Sequence, residues 1–242
     1  MTRPIVDTHK KNAFNTTSKT LLIPAYLQKT YWWAYVHPRA VKIFERGWLV
    51  NLILFGNYAK LRNAALDEIG RQAGGRTLQI ACVYGDLTPR LLERHAGDGV
   101  LDVVDVLPIQ LQNLQRKLAP DSRISLFLHD SAALGFADGS YDRVLVFFLL
   151  HEQPENVRRS TLAEAFRVVR PGGKIVIVDY HRPNKWNLLR RPLQALLSRL
   201  EPFADDLWQH ELAFYFPPDI KPASLRKQTY FGGLYQKIVL TR

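Results

Sequence analysis

The 242-residue chain holds a single cysteine, Cys82, and has no run approaching the roughly 20 consecutive apolar residues that a membrane span requires. One cysteine forms no internal disulfide, and Cys82 lies inside a predicted buried strand, so a reducing, cytoplasmic setting is expected. Met1 to Thr20 is polar and lacks an apolar core segment, which argues against a secretory signal. Acid is scarce in two places. Residues 1–64 carry Asp7 and Glu45 alone against Arg3, Lys10, Lys11, Lys19, Lys29, Arg39, Lys42, Arg46, Lys60 and Arg62, and no acid stands between residues 181 and 200. Internal repeats and low-complexity tracts are also missing. With 47% hydrophobic and 23% charged residues the composition is that of a globular protein, long enough for one α/β domain with additions or for two small domains.

The net charge of +11 is therefore gathered in two clusters, the N-terminal quarter and Arg182, Lys185, Arg190, Arg191 and Arg199. Both are interleaved with large apolar side chains, as in Tyr31-Trp32-Trp33-Ala34-Tyr35 and Trp186-Asn187-Leu188-Leu189. Such mixtures suit an anionic membrane surface, where rings sit among headgroups. Nucleic acid accepts similar patches, and a solvated basic face accounts for either cluster alone equally well.

Residues 1–20 read as a loosely held arm. From Pro24 to Ile69 the pattern is helical, broken at His37-Pro38 and stopped by Gly70 and Gly74-Gly75, with an apolar surface too wide for one helix face. Residues 1–75 are thus expected to form an arm and helical cap on the substrate or membrane side. Residues 76–242 are expected to form the main domain, with a basic helical insertion around 184–225. In that domain strands (Leu78–Val83, Val100–Val106, Ile124–His129, Tyr141–Leu149, Lys174–Asp179) alternate with helices (Pro89–His95, Pro108–Leu118, Val157–Val169). Helical text resumes over 188–200, and two short strands close the chain around Gly232-Gly233. This order predicts an α/β fold with a doubly wound, mostly parallel sheet.

The first strand leads into Gly85-Asp86 and a helix start at Thr88-Pro89, where Thr88 can cap. A strand, a glycine turn and a helix N-terminus form the nucleotide-side corner of such a sheet. Asp105 follows Gly85 by twenty residues, about where an acid meets ribose hydroxyls. His129-Asp130-Ser131, His151-Glu152 and Asp179-Tyr180-His181 end the next three strands. Any one of these is more economically a loop residue or helix cap; four on one ligand-binding edge are harder to dismiss.

From Thr77 to about Pro183 these residues resemble a class I (Rossmann-like) S-adenosylmethionine-dependent methyltransferase of the ubiquinone/menaquinone-biosynthesis type. Asp105 stands at the ribose acid, Asp130-Ser131 at the adenine-side loop, and Tyr141 to Glu152 at the fourth-strand motif. Glu164 to Asp179 corresponds to the helix–turn–strand signature. The resemblance implies that Ala81, Val83, Tyr84, Gly85, Thr88, Asp105, Val106, Asp130, Ser131 and Phe147 line the cofactor.

The family's opening loop is an acid followed by alternating glycines. Here Gln79, Ala81 and Val83 replace the acid and two glycines, leaving Gly85, and bulk at Val83 and Tyr84 implies an altered cofactor pose. Val83-Tyr84-Gly85-Asp86, together with Tyr31 to Pro38, Asp179 to Pro183 and Glu201-Pro202-Phe203, is similar to the rhodoquinone-biosynthesis methyltransferase-like proteins. That second resemblance implies conversion of ubiquinone to rhodoquinone, a ring methoxy giving way to an amino group. S-adenosylmethionine would be the amino donor, with manganese assisting. Asp86, His151, Asp179 and His181 are the candidate metal ligands, hard oxygen donors with imidazole. Tyr84, Asp86 and His151 are the candidate catalytic residues. His151-Glu152 reads at least as well as a satisfied structural pair, and Tyr84 as a packing residue. A polyprenyl quinone substrate implies peripheral docking on an anionic membrane through the cap and the segment from Trp186 to Arg199. The rivals are a conventional quinone or small-molecule methyltransferase and a non-catalytic lipid-binding or scaffold subunit. No nucleic-acid partner is expected: His151-Glu-Gln-Pro154 stands where many DNA enzymes carry Asn/Asp-Pro-Pro-Tyr/Phe.

Overall fold

The computed structural model describes residues 23–242 apart from 188, 189, 193 and 195–202. The expected N-terminal arm and most of the helix expected over 188–200 lie outside the described residues. The cap opens with α1 (Ala25–Thr30) and a π-helical turn (Trp32–Val36). In α2 (Pro38–Phe44), Pro38 takes the first position and His37 Nδ1 accepts the Arg39 N–H. Next comes α3 (Gly47–Ile53), which buries none of its residues. By contrast α4 (Tyr58–Ile69) buries Tyr58, Leu61, Ala65, Leu66 and Ile69 at helical spacing and ends at Gly70, whose φ of 92° suits glycine.

The sheet comprises β1 (Arg76–Ile80), β2 (Val100–Asp105), β3 (Ile124–Leu128), β4 (Tyr141–Phe147), β5 (Val169–Tyr180), β6 (Ser224–Tyr230) and β7 (Tyr235–Thr241). Its strands run in the order β3-β2-β1-β4-β5-β7-β6. The first five are parallel, β7 is antiparallel to β5, and β6 is antiparallel to β7. This is the expected doubly wound, mostly parallel sheet. Helices α5 (Leu87–Leu92), α6 (Pro108–Lys117) and α7 (Glu155–Val168) make the crossovers, and α8 (Ala204–Gln209) precedes the closing hairpin. Alternate strand residues feed two cores. Leu101, Val103, Leu145 and Val176 pack beneath α4 and α5, whereas Leu78, Ile80, Val144, Val146 and Ile175 face Leu162, Ala165 and Phe166 of α7. Strand β1 pairs with both β2 and β4. The sheet reverses direction there, and the crevice at its carboxyl edge is the binding place of such folds.

Most boundaries shift by a residue or more from the sequence reading, and three of the shifts have a clear cause. Strand β1 stops at Ile80, because Ala81 turns to a φ of 70°. Helix α5 starts at Leu87 with Asp86 in the capping position, so Thr88 is not a cap. Its hydroxyl instead donates to Gln79 Oε1 at 2.9 Å inside the core. Strand β5 starts at Val169, absorbing Arg170 to Gly173 that read as a helix stop.

Candidate active site

At the carboxyl edge lies a cavity of about 740 Å³. Its wall includes Ala81, Val83, Tyr84, Asp105, Val106, Ser131, Phe147 and His151 from the expected set. Gly85, Asp86, Thr88, Asp130, Asp179 and His181 do not line it. The cap contributes the rest of the wall, notably Tyr26, Leu49, Leu52, Phe55 and Tyr58, and the sheet edge adds Cys82, Gln110, His129, Phe148, Glu152 and Tyr180. His129, Glu152 and Tyr180 stand in the strand-end clusters that the sequence singles out, whereas no local signal marks the cap residues, which meet the sheet edge across long chain separations.

The corner built by residues 79–86 is ordered by polar contacts rather than by glycine. Gln79 Nε2 donates to the Ala81 carbonyl at 2.9 Å while its Oε1 accepts from Thr88. A carboxylate at position 79 cannot donate to that carbonyl, so the exchange of acid for amide suits this loop. Ala81 holds the left-handed conformation that a glycine would occupy without strain, and its methyl group enters the cavity wall. Gly85 is retained for a different reason. Its φ is 87°, and a Cβ there would come within 2.6 Å of the Tyr58 hydroxyl.

Asp105 sits at the end of β2, where its Oδ2 accepts the Cys82 N–H and its Oδ1 the Leu107 N–H, each at 2.8 Å. Burial pushes its carboxyl up to about 6, against the lowering effect of these amide bonds. Burial likewise raises the Cys82 thiol well above its ordinary range, which leaves it an inert wall residue. Asp130 closes its own turn by accepting the Ala132 N–H at 2.9 Å, and Ser131 reaches the wall in its place, braced by Thr161 and Gln153.

Tyr84 is anchored rather than available for chemistry. Its hydroxyl donates to the Ala34 carbonyl at 2.7 Å and accepts from Gln110 at 3.0 Å, and its ring stacks on Phe44 of α2. Burial raises its phenol further above the working range. Asp86 is likewise a structural hub. Its carboxylate takes Arg62 and Arg90 at 2.5 Å each and the Tyr58 hydroxyl at 3.1 Å. Burial opposes ionisation there, but the bonds from Arg90 and Arg62 outweigh it and hold the group below its usual range.

His151 and Asp179 do come together. Asp179 is wholly buried, with Oδ2 accepting the Leu150 N–H at 2.8 Å and Oδ1 the Tyr180 N–H at 2.7 Å. That acceptor holds His151 Nδ1 at 2.8 Å, so Nδ1 carries the hydrogen and Nε2 is the basic nitrogen of the neutral ring. Glu152 Oε1 lies 3.7 Å from Nε2, and the edge of Tyr180 packs on the imidazole. Phe148, held at a φ of 51°, packs at a steep angle against both the imidazole and the Tyr180 ring. A bulky residue in that region is a strained feature of the kind found at functional sites.

The four expected manganese ligands do not form one site. Asp86 belongs to the arginine hub, and His181 is held by the Gly233 carbonyl, Lys227 and Glu211. Among the described residues no group of three or more His, Cys, Asp or Glu side chains is arranged to hold a metal ion. The donors present therefore do not fit manganese. They do fit a nucleoside: Asp105 and Ser131 stand on the cavity wall at adjacent strand ends.

The sequence profile of the ubiE/COQ5 methyltransferase family matches residues 41–216. The chain belongs to this family. It is 32% identical over 142 residues to the ubiquinone/menaquinone biosynthesis C-methyltransferase of Dinoroseobacter shibae, covering 56% of this chain and 55% of that one. It is 27% identical to the 2-phytyl-1,4-naphtoquinone methyltransferase of Nostoc, covering 80% and 84%. The chain thus spans about half the length of the first relative and most of the second. Among solved structures it superposes on a SAM-dependent methyltransferase of Aquifex aeolicus with a TM-score of 0.52 at 15% identity, covering 84% of this chain and 97% of that one. The N-methyltransferase NodS of Bradyrhizobium japonicum, in complex with S-adenosyl-L-homocysteine, gives 0.54 at 15% identity, with the same coverages. The fold is that of class I S-adenosylmethionine-dependent methyltransferases.

Proposed function

We propose that the chain is an S-adenosylmethionine-dependent transferase acting on the ring of a lipid-soluble quinone in its reduced form. One observation carries this reading: a single cavity joins the cofactor corner at Ala81 and Asp105 to the apolar cap at Leu52 and Phe55, with His151 on the same wall. S-adenosylmethionine supplies an electrophilic methyl group, as in the family to which the chain belongs. Asp105 and Ser131 bind the nucleoside end. His151 Nε2 accepts the proton of a ring hydroxyl, while Asp179 fixes the imidazole tautomer and stabilises the imidazolium. The resulting phenolate pushes electrons onto a ring carbon. S-adenosylmethionine, when bound, would supply its methyl group to that carbon and leave as S-adenosylhomocysteine, and the ring-carbon proton would pass to water.

The remodelled corner favours a second reading. Ala81 and Val83, in place of glycines, narrow the methionine side and suit the rhodoquinone-type exchange of a methoxy for an amino group. Incubating purified protein with S-adenosylmethionine and a short-tailed quinol or quinone separates the two by product mass. A gain of one methyl supports methyl transfer; loss of methoxy with gain of nitrogen supports the exchange. Unchanged quinone in both redox states overturns both.

A further inference from the structure

The rebuilt corner is gripped from outside by one carboxylate. Glu45, at the C-terminal end of α2, places Oε1 at 3.1 Å from the Gly85 N–H and 2.8 Å from Lys117 Nζ. Its Oε2 accepts from Asn113 Nδ2 at 2.6 Å. Lys117 in turn donates to the Gly85 carbonyl at 2.9 Å and the Val83 carbonyl at 3.4 Å. Other fixed points of the corner include Asp105 on the Cys82 N–H, Gln79 on the Ala81 carbonyl and Ala34 on the Tyr84 hydroxyl. Glu45 and Lys117 expose only 20% and 19% of their side chains, so water screens the pair far less than a surface pair.

We infer that Glu45 is a positioning residue for the cofactor, a carboxylate delivered from the cap that sets the backbone of residues 83–85. The loop that would carry its own acid has Gln79 there, turned inward to Ala81 and Thr88. Flexible glycines would leave the corner loosely defined, but here a charged clamp fixes a chain whose side chains Val83 and Tyr84 wall the cavity. Removing Glu45 leaves the Gly85 N–H, Asn113 and Lys117 without their shared acceptor, so the carbonyls of Val83 and Gly85 lose their defined direction.

The inference rests on the functional reading above, and the test separates the two. S-adenosylhomocysteine and a short-tailed quinone are each titrated calorimetrically into the full chain, wild type and the variants Glu45→Ala, Glu45→Gln and Lys117→Met. Glu45→Ala is expected to weaken S-adenosylhomocysteine binding about tenfold, on the order of one charge-assisted hydrogen bond. Glu45→Gln keeps an acceptor for Gly85 but not the charge for Lys117, and should lose about threefold. Quinone affinity should change less than twofold, and the double variant Glu45→Ala/Lys117→Met should bind no worse than its weaker parent. Cofactor affinity within twofold of wild type in Glu45→Ala overturns the inference. So does an equal loss of both ligands with a lowered melting temperature, which marks plain structural damage. If Glu45→Ala does not fold, Glu45→Gln decides by the same ratio. A wild-type protein that binds no S-adenosylhomocysteine overturns the functional reading and this inference together.

Discussion

At the scale of single residues, Asp105 couples the cofactor site to pH. Its carboxyl is raised by burial from an ordinary 3.8 to about 6, so the folded protein keeps that proton where the unfolded chain has lost it. The group therefore contributes stability below pH 3.8 that is lost as pH rises through about 6, roughly 3 kcal/mol in all. On the proposed function a ribose hydroxyl would donate to the ionised carboxylate, so cofactor binding would oppose protonation. S-adenosylhomocysteine affinity should accordingly rise between pH 5 and pH 7 and level off above, and calorimetry across that window should find the slope abolished in Asp105→Asn. Ala81 makes a second residue-scale case. An alanine at a φ of 70° carries about 1 kcal/mol of strain that glycine does not. Ala81→Gly gives back part of that gain through the freedom of the unfolded chain, so it should melt within about 1 kcal/mol of wild type. Ala81→Val, branched at Cβ and in the same conformation, should lose more than about 2 kcal/mol, read from urea denaturation. Asp105 and Ala81 both stood out in the sequence as residues of one corner, and both line the cavity. The positive φ was not, since nothing about an alanine announces it.

Elements were legible where periodicity was strong and the partner was local. The apolar run from Val144 to Phe147 and the helix–strand text from Glu164 to Asp179 gave themselves away because both faces of those strands are covered. The α5 boundary was not legible. Thr88-Pro89 carries the chemistry of a cap, but the buried Gln79 claims the threonine hydroxyl, and Asp86 two residues earlier takes the capping position. What orients Asp86 comes from α4, through Arg62 and Tyr58, at a distance in sequence that no local pattern reveals. This tie decides between two expectations for Asp86. As a catalytic or metal residue, its alanine variant lowers turnover in a stable protein. As the latch that joins α4 to α5, Asp86→Ala leaves Arg62, nearly buried, without its anion, and should cost about 1–3 kcal/mol. For a chain of this size that is a fall of roughly 2–12 °C in melting temperature, measurable by calorimetry. Gly85→Ala breaks the same latch from the other side, since its Cβ would meet the Tyr58 hydroxyl at 2.6 Å, and it should be the more damaging change.

At the scale of the whole molecule, the distribution of apolar surface gives the cavity its orientation. The α3 face is unpacked, with Trp48 63% and Leu52 64% exposed, and Trp32, Ile43 and Phe55 are also open. Leu52 and Phe55 belong at once to this exposed surface and to the cavity wall. Arg39, Lys42 and Arg46 lie among these residues in the sequence, while Glu45 is turned inward to the cofactor corner. No helix among the described residues is long and apolar enough to cross a membrane. The arrangement suits a protein that lies against an anionic bilayer and takes a quinone laterally through its apolar rim. The composition carried the basic and aromatic content of this surface, but not its continuity with the cavity, which arises only when α3 folds over the sheet edge. Co-sedimentation with vesicles of phosphatidylglycerol and phosphatidylcholine should show binding at low salt that weakens as ionic strength rises. The variant Trp48→Glu/Leu52→Glu should lose most of that binding, because each glutamate puts a charge where a large apolar side chain would enter the lipid. Both residues are largely exposed, at 63% and 64%, so its melting temperature should stay near wild type. Binding that is absent at low salt, or that survives both glutamates, would remove the membrane from this account and leave the apolar rim to a soluble carrier of the quinone.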